Sequence, residues 1–211
     1  AGSAQRGPRM SASEEGEVEV WAIDGNMGTG KSTLCAELQR RGYVVVEEDV
    51  ATWTPILSKF YDEPSRWSFC LQTQILHSMA SARKEVPRTD PVVFFERSPL
   101  SSLLFVEQAV EDGNLDADEK AVFMALHESL AWTPARALFL DVDVDECVRR
   151  VRTRGRAAEA DVDDAYIGRL DKRYRDAVAR GRLGDATARL DGTRPVAALA
   201  DEVEAMLMQS S

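Results

Sequence analysis

The residues Gly25-Asn26-Met27-Gly28-Thr29-Gly30-Lys31-Ser32, followed by Thr33, fit the pattern G-x-x-x-x-G-K-[ST] at every specified position. Phosphate binding asks for these types in this order. Glycines let the backbone wrap closely around phosphate oxygens, with positive φ angles available and no Cβ in the way. Successive N–H groups then point at the anion from a helix N-terminus, Lys31 reaches the outer phosphates, and the Ser32 hydroxyl is suited to a Mg²⁺ ion. Three further groups carry chemistry. Glu47-Glu48-Asp49 follows one β-branched run, Glu96-Arg97-Ser98 follows another, and Arg149, Arg150, Arg152, Arg154 and Arg156 crowd into eight residues of an otherwise acidic chain. An acid and a base together at a strand end are costly to bury unless they pair or bind a ligand. Guanidinium forks match phosphate oxygens, so beside this loop the arginines read as a lid over phosphates; an isolated cluster would equally suit a solvated face.

These groups need elements to position them. Val18 to Asp24 reads as a buried strand leading into the loop, and a helix over Lys31 to Arg41 leaves it. A Gly-rich turn with a chance lysine would lack those flanks. Gly42 stops the helix, and Tyr43-Val44-Val45-Val46 reads as a second buried strand ending in the acids. Parallel α/β sheets bind ligands at the carboxyl ends of their strands, so an acid there shares a crevice with the loop; a solvated acidic turn is the alternative. Helices are expected over Ala51 to Phe60 and Pro64 to Ala82, the second with Trp67, Phe69, Leu71, Ile75, Leu76 and Met79 at helical spacing, a stripe that is core by default. Pro91 to Phe95 reads as the third strand and Ala137 to Leu140 as the fourth, separated by helices over Leu100 to Asp112 and Asp116 to Leu130. A helix over Asp145 to Thr153 carries the arginines, Ala157 to Asp164 reads as an acidic loop, and a helix over Ala165 to Arg180 precedes the last strand, Ala186 to Asp191. Pro195 to Met208 closes the chain as a helix.

That alternation predicts an α/β fold of the P-loop NTPase kind: a five-stranded parallel sheet with helices on both faces and an arginine-rich lid. Residues 18–211 are expected to form one domain and residues 1–17 a disordered tail, with Arg6 and Arg9 a trace of a processed transit segment. The 211 residues carry a net charge of −10, which argues against a nucleic-acid polymer or an anionic membrane as partner and requires any polyphosphate site to gather positive charge locally. No apolar run approaches the roughly 18 residues of a membrane span. Cys35, Cys70 and Cys147 stand far apart with no C-x-x-C pair, which predicts a reducing compartment, the cytoplasm first and a mitochondrial or viral-host location left open, and no zinc site. From the residues alone the chemistry is phosphoryl transfer. The loop holds a nucleoside triphosphate, Ser32 and a nearby carboxylate hold Mg²⁺, lid arginines neutralise charge, and an acid such as Glu48 accepts a proton from an acceptor hydroxyl.

Several segments together resemble the deoxynucleoside kinases, which phosphorylate the 5′-hydroxyl of thymidine, deoxycytidine and related nucleosides. They are Ile23-Asp24-Gly25-Asn26 leading the loop, Glu48-Asp49-Val50-Ala51-Thr52-Trp53, Pro64-Ser65-Arg66-Trp67-Ser68-Phe69-Cys70-Leu71-Gln72, Phe95-Glu96-Arg97-Ser98, and Arg150-Val151-Arg152-Thr153-Arg154-Gly155-Arg156. The resemblance covers roughly Val18 to Asp191. It implies that Glu48 is the base on the 5′-hydroxyl, that Arg97 holds that hydroxyl and the base, and that Glu96 is the carboxylate on the Mg²⁺ side. Gln72 is implied to pair with the nucleobase edge, Tyr61 and Glu159 with the sugar 3′-hydroxyl, and Trp53 to wall the nucleoside pocket. Arg150 and Arg154 become the lid arginines on the phosphates of ATP, with Ile75 a further lining residue. Family members are commonly dimers, and the helices from Leu100 to Leu130 are the expected contact.

Deoxycytidine-selective members place an arginine seven residues after the glutamine and an aspartate four after the E-R-S serine; Met79 and Ser102 occupy those positions here. An uncharged lining resembles thymidine-accepting and broad-specificity members. Two departures from the family pattern stand out. The rings that usually sandwich the base correspond to Leu71 and Val106, with Phe69 or Phe105 taking over if the alignment slips, and Asp49 stands where the family mostly has proline, a second carboxylate expected to raise the pKa of Glu48. The expectation is thus an ATP- and Mg²⁺-dependent deoxynucleoside kinase acting on thymidine or a broad pyrimidine range. Alternatives are a deoxycytidine-preferring member, a nucleoside monophosphate kinase, or a P-loop switch that binds nucleotide and lacks a nucleoside pocket.

Overall fold

A computed structural model describes residues 18–86, 90–155, 162–184 and 186–210. Five strands, β1 (Glu19–Asp24), β2 (Val44–Val46), β3 (Val92–Glu96), β4 (Arg136–Asp141) and β5 (Thr187–Asp191), pair in the order β2-β3-β1-β4-β5, and every pairing is parallel. The helices are α1 (Lys31–Arg40), α2 (Val50–Asp62), α3 (Pro64–Glu85), α4 (Pro99–Glu111), α5 (Ala117–Leu130), α6 (Val144–Arg154), α7 (Asp164–Ala179) and α8 (Val196–Ser210).

Both faces of the sheet are covered, which explains why its central strands read as unbroken apolar runs. Along β4, Leu138 and Leu140 join Trp21, Ile23, Leu34 and Leu199 on the face under α1 and α8. Ala137 and Phe139 point the other way, into a cluster with Leu104 of α4 and Leu170, Tyr174 and Ala177 of α7. Full burial of each such Leu or Phe contributes about 1.5–3 kcal/mol, so the two-residue alternation fixes the register. Trp21 pairs in register with Phe94 on one side and Arg136 on the other.

β2 differs from expectation. It lies at the sheet edge with β3 as its neighbour, and its three valines are half-buried rather than buried. The strand order has a chemical consequence. β2, β3 and β1 are adjacent and parallel, spaced by about 4.8 Å each, so the residues following their carboxyl ends converge on one crevice. Glu48, Arg97 and the Gly25–Thr33 loop are those residues.

Candidate active site

The loop after β1 folds as a cradle because its backbone takes conformations closed to other residues. Gly28 has φ +78°, and a Cβ there would lie 2.5 Å from the Cys147 carbonyl oxygen, so α6 packs directly against the loop. Asn26 braces it from behind: its amide donates to Ile167 O at 2.9 Å and its side-chain oxygen accepts from Met27 N at 2.8 Å. Lys31 is buried and curls over the loop, donating to Asn26 O at 2.8 Å and Gly25 O at 3.2 Å. Burial first, and the positive charge of Arg97 second, pull its pKa down to about 8 against the opposing effect of Glu48, Glu96 and Asp24. Ser32 donates to Glu96 Oε1 at 2.8 Å, which brings the expected hydroxyl and carboxylate together at the loop mouth.

Arg97, the first residue after β3, has φ 68°, in the left-handed region. The turn swings its side chain into the crevice, where Nε lies 3.0 Å from Glu48 Oε1. The guanidinium also sits 5.0 Å over the Phe105 ring. Burial raises the pKa of Glu48; Arg97 and Lys31 oppose the rise, while Glu96 and Asp24 add to it. Asp49 plays a different part from the one expected. It caps α2, its carboxylate accepting from Thr52 N at 3.3 Å and from the Thr52 hydroxyl, and desolvation is the leading cause of the Glu48 shift.

One cavity of about 920 Å³ runs from the loop past this pair to the middle of α3. Leu71, Gln72, Ile75 and Met79 reach it from one face of α3, Trp53 and Tyr61 from α2, and Ser102 from α4. Gln72 is 6% exposed, and its amide has no partner among the described residues. Met79 and Ser102 are buried and uncharged, and the Ser102 hydroxyl is taken up by Pro99 O at 2.6 Å. Val106 does not line the cavity. It is 1% exposed and packs with Leu76 and Phe123, because one step along α4 rotates a side chain by about 100°. Phe105 faces the cavity in its place. Glu159 lies outside the described residues.

The arginine cluster divides. Arg150 and Arg154 line the cavity. Arg150 is held by Glu146 at 2.7 Å and donates to Gly192 O at 3.1 Å and Thr29 O at 3.4 Å, linking α6 to the loop and to the turn after β5. Arg149 pairs with Glu146 and Arg152 with Asp164, so these two serve the fold; Arg156 lies outside the described residues. Tyr166, Phe60, Gly192, Arg194, Val196 and Leu199 also line the cavity, and nothing in the residue pattern marks them beforehand. These come from segments whose apolar or polar pattern is equally that of core and surface.

The sequence model described as Deoxynucleoside kinase matches residues 21–210 of this chain. The chain is 31% identical over 168 residues to a thymidine kinase of Ictalurid herpesvirus 1 (strain Auburn), covering 74% of this chain and 72% of that one. It is 27% identical over 203 residues to the deoxycytidine kinase of Homo sapiens, covering 79% of this chain and 78% of that one. A deoxyadenosine kinase from M. mycoides, solved with dCMP and a flexible dCDP bound, shares the fold with a TM-score of 0.81 at 21% identity, over 91% of this chain and 100% of that one.

Proposed function

We propose, because the chain belongs to the deoxynucleoside kinase family, that it transfers the γ-phosphoryl group of ATP to the 5′-hydroxyl of a deoxynucleoside, with thymidine preferred within a broad pyrimidine range. The observation that carries the reading is the Glu48–Arg97 pair, set in one cavity with the phosphate loop and the Gln72 amide, which has no partner among the described residues.

In this reading the acceptor lies along α3. Gln72 meets the edge of the base, since an amide donates and accepts at once, and Phe105 and Trp53 wall it. Tyr61 reaches the sugar. Glu48 takes the proton of the 5′-hydroxyl as its oxygen bonds to the γ-phosphorus and the bond to the β-γ bridging oxygen breaks, leaving ADP. Arg97 keeps Glu48 oriented and holds the 5′ oxygen. Lys31, Arg150 and Arg154 spread the charge that builds on the transferring group, and Gly192, Arg194, Val196 and Leu199 receive the donor base.

Ser32 and Glu96 fit a Mg²⁺ site, because a hydroxyl and a carboxylate oxygen 2.8 Å apart at the loop mouth are hard oxygen donors of the kind that ion takes alongside phosphates. When bound, the ion neutralises phosphate charge and orients the γ-phosphoryl group. A homodimer through α4 and α5 accords with the exposure of Val122 and Met124 on α5.

The thymidine preference rests on the uncharged Met79 and Ser102, which leave room for a 5-methyl group and present no charge to a cytosine amino group. Steady-state kcat/KM for the four deoxynucleosides at saturating Mg-ATP tests it. Thymidine is expected to rank first, and a purine preference, or deoxycytidine ahead by more than tenfold, overturns the base assignment while leaving phosphoryl transfer intact.

A further inference from the structure

Tyr174 of α7 is fully buried and does not line the cavity, yet its hydroxyl stands between two charged groups of the site. Arg97 Nη1 donates to the Tyr174 hydroxyl, which donates in turn to Asp24 Oδ1 at 3.4 Å. Asp24 ends β1 and is itself fully buried, its other oxygen accepting from Ser98 Oγ at 3.3 Å. Arg97 Nη1 also donates to Gly25 O at 3.1 Å. The Tyr174 ring is fixed independently of these bonds, stacked on Phe139 at 6.1 Å and edge-on to Phe105 at 6.4 Å.

Two carboxylates lie within ion-pair distance of the Arg97 guanidinium, on different nitrogens. Glu48 lies 3.0 Å from Nε, and Asp24 lies 4.0 Å from Nη1. A buried carboxylate attracts a nearby guanidinium, and the left-handed backbone of Arg97 persists only where the surroundings over-determine it. We infer that Tyr174 is a positioning residue: its hydroxyl, bonded to both Arg97 and Asp24, occupies the gap between them and keeps the guanidinium turned toward Glu48. Without the hydroxyl, Asp24 loses a donor and Nη1 loses an acceptor, and the two groups satisfy each other directly. Arg97 then leaves Glu48, and the base loses its orientation. The inference rests on the assignment of Glu48 and Arg97 made above.

Tyr174→Phe tests it, since the ring and its packing are retained. In this variant kcat is expected to fall about 10- to 100-fold, as for a catalytic group slightly misplaced, with KM for ATP and the melting midpoint close to those of the parent chain. In an Arg97→Ala background the same substitution is expected to have no further effect on kcat, because Tyr174 acts through Arg97. Parental kcat in Tyr174→Phe, multiplicative losses in the double variant, or loss of ATP binding and folding along with turnover each overturn the role. If the parent chain itself yields no 5′-monophosphate, the kinase reading fails instead, so the two failures are distinct.

Discussion

Arg97 Nε lies 3.0 Å from Glu48 Oε1, so the residue that follows β3 and the acid that follows β2 meet across the strand ends in front of the phosphate loop. The pairing gives Glu48 an orientation that its place at the end of a half-buried edge strand would not. Glu48→Gln keeps the shape and the hydrogen-bond acceptor but cannot take up a proton. Turnover is expected to fall by about 10²- to 10⁴-fold while ATP affinity, read by calorimetry, stays within about twofold. Near-parental turnover would remove Glu48 from the role of base.

The two shifted groups set a pH window. Lys31 falls to about 8 and Glu48 rises above its ordinary 4.5, so the working combination, a charged carboxylate with a protonated amine, lies between them. Turnover is expected to fall on the acid side as Glu48 takes up a proton, and ATP affinity to fall above about pH 8 as Lys31 sheds one. Phosphate drawn to Lys31 favours its charged form, so ATP binding near pH 8 takes up protons; calorimetry in buffers of different ionisation heat reads this, and proton release contradicts it. Between about 8 and 10.5 the unfolded chain keeps the Lys31 proton that the folded chain has lost, so the contribution of this group to stability rises with pH. Glu48 acts in reverse, its folded form holding the proton longer, so stability from it declines as pH rises above 4.5.

Neighbouring residues of α4 are expected to separate cleanly. Phe105→Ala removes a cavity wall and the ring under Arg97, raising KM for the nucleoside several-fold. Val106→Ala leaves KM unchanged and lowers stability by about 1–2 kcal/mol through lost burial and a small void beside Leu76 and Phe123. Kinetic parameters and melting midpoints of the two variants decide the matter, and the opposite pattern would return Val106 to the cavity wall.

Much of this architecture is legible in the sequence because local and global signals agree. The glycine loop sits between an apolar strand and a helix, and acids and bases sit at strand ends, where a parallel sheet gathers ligands. Legibility fails where the pattern is degenerate. Leu103, Leu104, Phe105 and Val106 are all apolar, so periodicity cannot say which one faces a cavity and which a core. Asp49 looks like a partner for Glu48 in the chain, but a free helix N-terminus competes for it and wins through Thr52. Tyr174 is separated from Arg97 by 77 residues and lies on an amphipathic helix, where a tyrosine reads as packing. In the arginine cluster, helical spacing alone does not tell Arg150 from Arg149, because Glu146 pairs with both; only the resemblance to the family motif separates them.

Base choice is expected to respond to charge at two positions. Met79→Arg combined with Ser102→Asp installs on the cavity wall the pair that the deoxycytidine-selective pattern carries, an acid to meet an exocyclic amine and an arginine to hold it. The ratio of kcat/KM for deoxycytidine over thymidine is expected to rise by at least about tenfold, in line with one added charge-assisted hydrogen bond. An unchanged ratio would mean that these side chains do not sense the base.

The most direct measurement is product identification. The 211-residue chain is incubated with Mg-ATP labelled at the γ-phosphate and each of the four deoxynucleosides in turn, beside Glu48→Gln as control. Label is expected in the 5′-monophosphate of thymidine with the parent chain and is expected to be nearly absent with the variant. Label released as free phosphate, with no 5′-monophosphate of any deoxynucleoside, would contradict it.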